Sequence, residues 1–221
     1  MGESRDAGPF VPENADLPEL RRASAGCRGC PLYERATQTV FGEGPVGARL
    51  LLVGEQPGDQ EDRQGRPFVG PAGKLLGRAL EEAEIERDAV YVTNAVKHFK
   101  FTLKEWSKRR FHQSPGTIEI NACRPWLVAE LEAVSPEVVV ALGAVAGRAL
   151  LGPSFRVTKQ RGVPLDCPPF DAIGAPAPAQ GPPAGRIVAT IHPSAVLRAP
   201  DRDAVYAGLV GDLRVAARLL D

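Results

Sequence analysis

Four short runs of aliphatic and β-branched residues set the strongest limit on how this chain folds. Arg49–Val53, Val90–Thr93, Val138–Leu142 and Ile187–Ile191 are each four or five residues long and almost continuously apolar. A strand buried on both faces reads this way, whereas a half-exposed strand alternates apolar and polar. The segments between them carry helical spacing instead. Ala72–Ile85 aligns Leu75, Leu76, Ala79, Leu80 and Ala83, and Thr117–Val134 aligns Ile120, Trp126, Leu127 and Leu131. Ala144–Leu151 and Ala204–Leu220 are further helices. Strands alternating with helices predict an α/β domain in three layers, with a four-stranded parallel sheet at its centre. Ligands of such sheets bind beyond the carboxyl ends of the strands. The residues to inspect are therefore Gly54-Glu55-Gln56-Pro57-Gly58, Asn94, Gly143 and His192-Pro193-Ser194.

With 221 residues, one domain over 1–221 accounts for the chain. Residues 171–185 (DAIGAPAPAQGPPAG) are low in complexity and read as a mobile insertion before the last strand. The first residues hold acids and prolines where a signal peptide would hold a basic start and an apolar run, and no later run is long enough to span a bilayer. A monomer in the cytoplasm is expected, with its cysteines reduced or bound to metal.

Formal net charge is zero, but the charge is unevenly spread. Between Lys97 and Arg124 seven Lys and Arg face only Glu105 and Glu119, so this segment carries +5 and the remainder −5. Phe99, Phe101, Trp106 and Phe111 interleave with those cations, a pattern suited to nucleic acid. The stretch Lys97–Gly116 has no clear periodicity and is long for a connecting loop, which predicts a functional loop.

Cys27-Arg28-Gly29-Cys30 is a chelating pair near the N-terminus. Zinc, an iron–sulfur cluster, a redox dithiol and unrelated thiols all remain open for it. A thioredoxin-like pair would follow a strand, and none precedes this one. A metal would need two more ligands, for which His98, Cys123 and Cys167 are candidates.

The segments GEQPGDQED (54–62), GRPFVGPAGKLL (65–76), YVTNAVKH (91–98), CRPWL (123–127), ALGAVAGRALLG (141–152) and TIHPS (190–194) occur in one order. Together with the cysteine pair, they resemble the iron–sulfur uracil-DNA glycosylases of family 4 from Cys27 to Ser194. That resemblance implies the three-layer uracil-DNA glycosylase fold, uracil-containing DNA as substrate and a [4Fe–4S] cluster. The family uses cysteine where this chain has His98, so the implied ligands are Cys27, Cys30, His98 and Cys123, with Cys167 left out. Lys108-Arg109-Arg110-Phe111-His112, together with GEQPG, is similar to the UdgX-type branch. Members of that branch cleave the base and then stay covalently attached to the sugar.

Residue by residue, the resemblance implies a pocket walled by Gly54, Gln56, Pro57 and Gly58. In it, Phe68 stacks on the base and Asn94 reads its edge. Glu55 supports a cationic sugar, His192 polarises uracil O2 and His112 is the nucleophile. Lys108, Arg109, Arg110 and Ser194 would contact DNA, preferably single-stranded. The competing expectations are a family 4 enzyme that turns over and releases an abasic site, a zinc-stabilised nucleic-acid-binding module without chemistry, and, last, a generic nucleotide-binding enzyme. The last lacks a glycine fingerprint after its first strand.

Overall fold

A computed structural model describes residues 6–104, 106, 109–174 and 184–221. Its strands are β1 (Leu50–Gly54), β2 (Val90–Asn94), β3 (Phe101–Leu103), β4 (Arg110–His112), β5 (Val138–Leu142), β6 (Pro164–Cys167) and β7 (Gly185–Thr190). Its helices are α1 (Leu17–Ser24), α2 (Asp59–Gln64), α3 (Pro71–Glu82), α4 (Thr117–Val134), α5 (Gly143–Leu151), α6 (Val157–Gln160), α7 (Pro193–Arg198) and α8 (Arg202–Ala217).

The main sheet has the order β2-β1-β5-β7-β6. Its first four strands run parallel and are the four expected from the apolar runs. The sheet nevertheless has five strands, not four, because β6 pairs antiparallel with β7 at the edge. Pro164 and Asp166 mask that strand in the sequence, and an edge position tolerates both. The α/β three-layer expectation holds. Leu51, Val53, Tyr91, Val139, Ala141, Ile187 and Ala189 face one core with Trp126, Leu127, Leu131 and Leu150. Leu50, Leu52, Val92, Val140 and Val188 face the other, with Leu76, Leu80, Leu209 and Leu213 of α3 and α8. Period-two alternation thus feeds both cores, and every side chain of β1 and β5 is apolar because both faces are covered.

Chain order in the sheet reverses at β1: β2 lies to one side and β5 to the other. This switch point opens a crevice at the strands' carboxyl ends, where the loop after β1 meets Asn94 and His192. Within 97–116, a stretch that carried no periodicity, β3 and β4 pair antiparallel beside that crevice. Of the low-complexity insertion, residues 175–183 lie outside the described residues. Its flanks are tied down: the Ala184 amide donates to Cys167 O, and the Gly174 amide to Leu150 O. Among the described residues no helix is long and apolar enough to cross a membrane.

Candidate active site

Gly54 ends β1 where no side chain fits. A Cβ there would lie 2.3 Å from Asn94 Oδ1 and 2.7 Å from Phe68 Cζ. The glycine therefore lets the amide of Asn94 and the ring of Phe68 converge at the sheet's edge. Phe68 has φ of +56°, a left-handed conformation that costs a non-glycine residue about 1 kcal/mol or more. Glu61 holds this geometry. Its carboxylate accepts from the Gly58 amide (3.1 Å) and the Gly70 amide (2.7 Å), binding the loop after β1 to the loop that carries Phe68.

Three residues with acid–base or nucleophilic capability, Glu55, His112 and His192, line the pocket with Phe68. A cavity of about 320 Å³ is lined by Glu55, Gln56, Phe68, Asn94, His112 and His192. His112 Nε2 lies 3.5 Å from Glu55 Oε1. That carboxylate oxygen is buried and has no hydrogen-bond partner among the described residues. His192 precedes α7, and its Nδ1 accepts from the Ser194 amide (3.2 Å) with the Ser194 hydroxyl 2.8 Å away. An Nδ1 that accepts from an N–H carries no proton, so the network assigns the neutral ring's proton to Nε2. Enclosure by protein pushes the His192 pKa down to about 4, aided by the charges of His112 and Arg198. Gly143, with φ of +91°, lets β5 approach closely: a Cβ there would lie 2.9 Å from His192 Cβ. A larger cavity of about 810 Å³, between residues 8–15 and α4, contains none of these groups.

The hairpin reaches the pocket because two distant residues pin it. Gln56 Nε2 donates to the carbonyls of Lys100 (3.1 Å) and Gln113 (3.0 Å), and its Oε1 accepts from the Lys100 amide (3.1 Å). Those two residues flank β3 and β4, so Gln56 clamps the hairpin at its base. Arg110 pins it from within the strand. Its guanidinium pairs with Asp59, donates to Asp62 Oδ2 at 2.5 Å and to Thr37 Oγ1 at 3.1 Å, and lies over the rings of Phe99 and Phe101. Arg110, expected to contact DNA, is 11% exposed here and faces Asp59 and Asp62 of α2.

The +5 segment is less available to phosphates than its sequence suggested. Besides Arg110, Lys97 is wholly buried in an ion pair with Glu130, and Lys100 pairs with Glu119 at 2.8 Å. Asp59, Asp62 and Glu130 lie outside the segment, so their neutralising charges were invisible to a local count. Lys104 and Arg109 are exposed, each over the ring of Phe111. Lys108 lies outside the described residues.

Lys97 also links the pocket to the cysteines. Its Nζ donates to Thr93 Oγ1 and Asn94 O, both at 2.7 Å, and its amide donates to Cys123 Sγ at 3.3 Å. Removing one member of a buried pair of this kind costs about 3–5 kcal/mol. All four cysteines are buried, and none forms a disulfide. Burial pushes the Cys123 thiol up to about 12; Lys97 pulls it down, and the thiols of Cys30 and Cys27 push it further up. Trp126 Nε1 donates to Cys27 Sγ at 3.2 Å. Buried sulfurs receiving N–H bonds suit thiolate ligands. Among the described residues, however, no three His, Cys, Asp or Glu side chains converge tightly enough to hold a metal ion. His98 Nε2 lies 2.9 Å from Thr39 Oγ1. That hydroxyl already donates to Ser24 O, so His98 must donate through Nε2, leaving Nδ1 with its lone pair. Cys167 belongs to the edge strand β6, and burial raises its thiol to about 12.

The structure thus brings Glu55, Gln56, Gly58, Phe68, Asn94, His112, His192 and Ser194 to one pocket, with Gly54 beneath it. Pro57 is buried in the same loop but does not line the cavity. Sequence reasoning missed Glu61, Ser114 and Arg198, which do line it. Glu61 had a local signal, an acid three residues after Gly58 at a helix start. Arg198, one helical turn after Ser194, donates to its hydroxyl at 3.2 Å.

A parallel-sheet α/β domain with a polar pocket at its switch point defines a class of ligand-binding and catalytic domains. The chain belongs to the uracil DNA glycosylase superfamily, whose family profile matches residues 41–214. It is similar to a Type-4 uracil-DNA glycosylase of Thermotoga maritima, 38% identical over 173 residues, 78% of each chain. A Type-4 uracil-DNA glycosylase of Pyrobaculum aerophilum is 34% identical over 84% of this chain and 86% of its own. A Type-5 uracil-DNA glycosylase of the same organism is 37% identical over 49% of this chain and 50% of its own.

Proposed function

We propose that this protein excises uracil from DNA and is then captured on the product through His112, in the manner of the UdgX-type branch. The observation that carries the reading is the meeting of Glu55, Asn94, His192 and His112 around one pocket. The Type-4 names of the relatives support uracil excision, and the contact of His112 with Glu55 supports capture.

The uracil nucleotide must leave the stack to enter the pocket. Phe68 stacks on it. The Asn94 amide accepts from N3–H and donates to O4, an arrangement that cytosine inverts. As the C1′–N1 bond breaks, its electron pair leaves with uracil. The Nε2–H of His192 donates to O2, where that charge gathers. The Glu55 carboxylate offsets the positive charge left on the sugar. A lone pair of His112 then bonds to C1′, the ring's other nitrogen loses its proton, and uracil takes up one proton from solvent. The resulting N-alkyl imidazole is a poor leaving group, so water does not release it as it releases a glycosyl ester. Gln56 and Arg110 position the nucleophile by holding its hairpin, Pro57 stiffens the loop, and Ser194 with Arg109 and Lys108 meets the DNA strand.

A [4Fe–4S] cluster fits the donor set in kind: Cys27, Cys30 and Cys123 would supply thiolates, and His98 its free Nδ1. Held by these residues, it would tie α4 to the N-terminal cysteine pair and to the loop after β2 that ends in His98. With this reading go a single domain over 1–221, a monomer, a cytoplasmic site of action and a preference for unpaired DNA.

Incubation with a uracil-containing oligonucleotide, with free uracil and iron both quantified, tests it. Stoichiometric uracil release by a brown protein is expected. Multiple turnovers with free abasic product would favour the conventional family 4 reading. Binding without base release, by a colourless zinc protein, would refute enzymatic excision.

A further inference from the structure

The chain has two tryptophans, and they occupy opposite extremes. Trp126 is fully buried, whereas Trp106 is 95% exposed. A single exposed apolar residue ordinarily needs no explanation. Trp106 differs in its location. It sits in the connection between β3 and β4, the hairpin that carries His112, and that hairpin is clamped to the pocket by Gln56 and Arg110. Leu103, where β3 ends three residues earlier in the chain, is 52% exposed. Lys104, Lys108 and Arg109 flank it in sequence against Glu105 alone. An aromatic face among cations matches what single-stranded nucleic acid binds, because every base offers a π-face and every linkage a negative charge.

Register gives the reach. His112 pairs with Phe101 and Arg110 with Leu103, so the last ladder pair lies two residues from the nucleophile. Trp106 lies five residues beyond Phe101 along the chain, so at about 3.4 Å per residue it stands within roughly 17 Å of the Phe101–His112 pair. Stacked nucleotides advance about 3.4 Å each, so that span covers at most about five nucleotides.

We propose that Trp106 is a second nucleobase-binding site. Its indole stacks on an unpaired base roughly three to five nucleotides from the extruded uracil, which fixes the strand's path across the hairpin. This rests on uracil-containing DNA being the substrate, but it assigns a contact outside the pocket and outside the chemistry. It also makes the hairpin bifunctional, with the nucleophile at its base and a strand clamp at its tip.

The two tryptophans make the test direct, since acrylamide quenches the exposed indole and spares the buried one. Two oligonucleotides are compared, one with about two nucleotides on each side of uracil and one with about seven, spanning the reach set by nucleotide rise. The longer one should alter the emission of Trp106 and shield it from acrylamide; the shorter should react with that emission unchanged. Trp106→Ala should weaken binding of the longer strand by about 5- to 150-fold, the equivalent of one base stack at about 1–3 kcal/mol. It should leave the shorter strand unaffected, and Trp106→Phe should recover most of the loss. Full reaction of the longer strand with unchanged emission and unchanged Trp106→Ala affinity would overturn the stacking site and leave uracil excision standing. Absence of both binding and uracil release would overturn both. Self-association that Trp106→Ala abolishes, with emission indifferent to DNA, would assign the tip to a protein contact and overturn the proposal.

Discussion

His112 Nε2 stands 3.5 Å from Glu55 Oε1, a buried carboxylate oxygen without a hydrogen-bond partner among the described residues. Leaving a buried polar atom unsatisfied costs about 1–3 kcal/mol, so a partner that arrives only with substrate is the physical explanation this geometry favours. A cationic sugar seated in the pocket against this carboxylate would be such a partner. The two residues come from chain segments 57 positions apart in sequence. Gln56 and Arg110 join them, and each prediction probes one part of that assembly.

Gly54→Ala should abolish recognition without unfolding the protein. The added methyl carbon meets Asn94 Oδ1 and Phe68 Cζ well inside contact distance, so both base-binding groups must shift. A displacement of about 1 Å in such a site costs roughly 100-fold in rate. Uracil release under single-turnover conditions should fall by at least that factor, while thermal unfolding moves only slightly. Wild-type rates in the alanine variant would mean that Gly54 does not set the pocket.

Arg110→Ala should loosen the hairpin. Asp62, wholly buried at its carboxylate, loses its guanidinium partner, and an uncompensated buried charge costs about 3–5 kcal/mol. Amide exchange across β3 and β4 should quicken more than exchange in β1 or β5. Capture through His112 should fall further than uracil release, because only capture needs the hairpin in register. A uniform exchange increase across the sheet would contradict a local positioning role.

The parallel sheet, α3, α4, α5 and α8 were legible because buried strands and amphipathic helices carry their periods within short windows. Glu55, Gln56, Asn94 and His192 were legible because they follow those strands, whereas Phe68 and His112 were read only from the family resemblance. The β3–β4 hairpin was not, since three-residue strands leave too little pattern and their anchors lie outside the segment. Helix α2 reads DQEDRQ, with no apolar period to detect. Its acids Asp59 and Asp62 are also what turned Arg110 inward, against the expectation of a phosphate contact. The left-handed backbone of Phe68 had no signal, because nothing in the residue type asks for positive φ.

The cluster assignment separates the cysteines. Cys123→Ser should lose most of the iron and brown colour, since its thiol feels those of Cys30 and Cys27 and its sulfur accepts from the Lys97 amide. Cys167→Ser should keep both, its thiol being part of the edge strand. Iron analysis of the two purified variants checks this; the reverse pattern would reassign the ligands.

Base release should be insensitive to pH over the range in which free histidine titrates. His192, held near 4 by enclosure and by the charges of His112 and Arg198, stays neutral from about pH 8 to about pH 5. Its Nε2–H is therefore available throughout, and release should decline only as pH approaches its folded value. The depressed value also predicts that stability falls as pH drops below about 6.5, where the unfolded chain's histidine takes up protons that the folded one refuses. Single-turnover uracil release by His112→Gly isolates His192 in this measurement. A midpoint near 6.5 would show that His192 titrates as an ordinary histidine.

Mapping the bond between protein and DNA tests the central claim most directly. Wild-type protein incubated with a uracil-containing oligonucleotide is denatured, digested with protease and nuclease, and sequenced by mass spectrometry. The account predicts a denaturation-resistant adduct whose deoxyribose mass sits on His112. It also predicts that His112→Gly releases uracil and leaves a free abasic site, with no adduct. His192→Ala should slow adduct formation and uracil release together, because both wait on the same bond to break. An adduct mapped to another residue, or wild-type protein that yields only free abasic DNA, would contradict capture by His112.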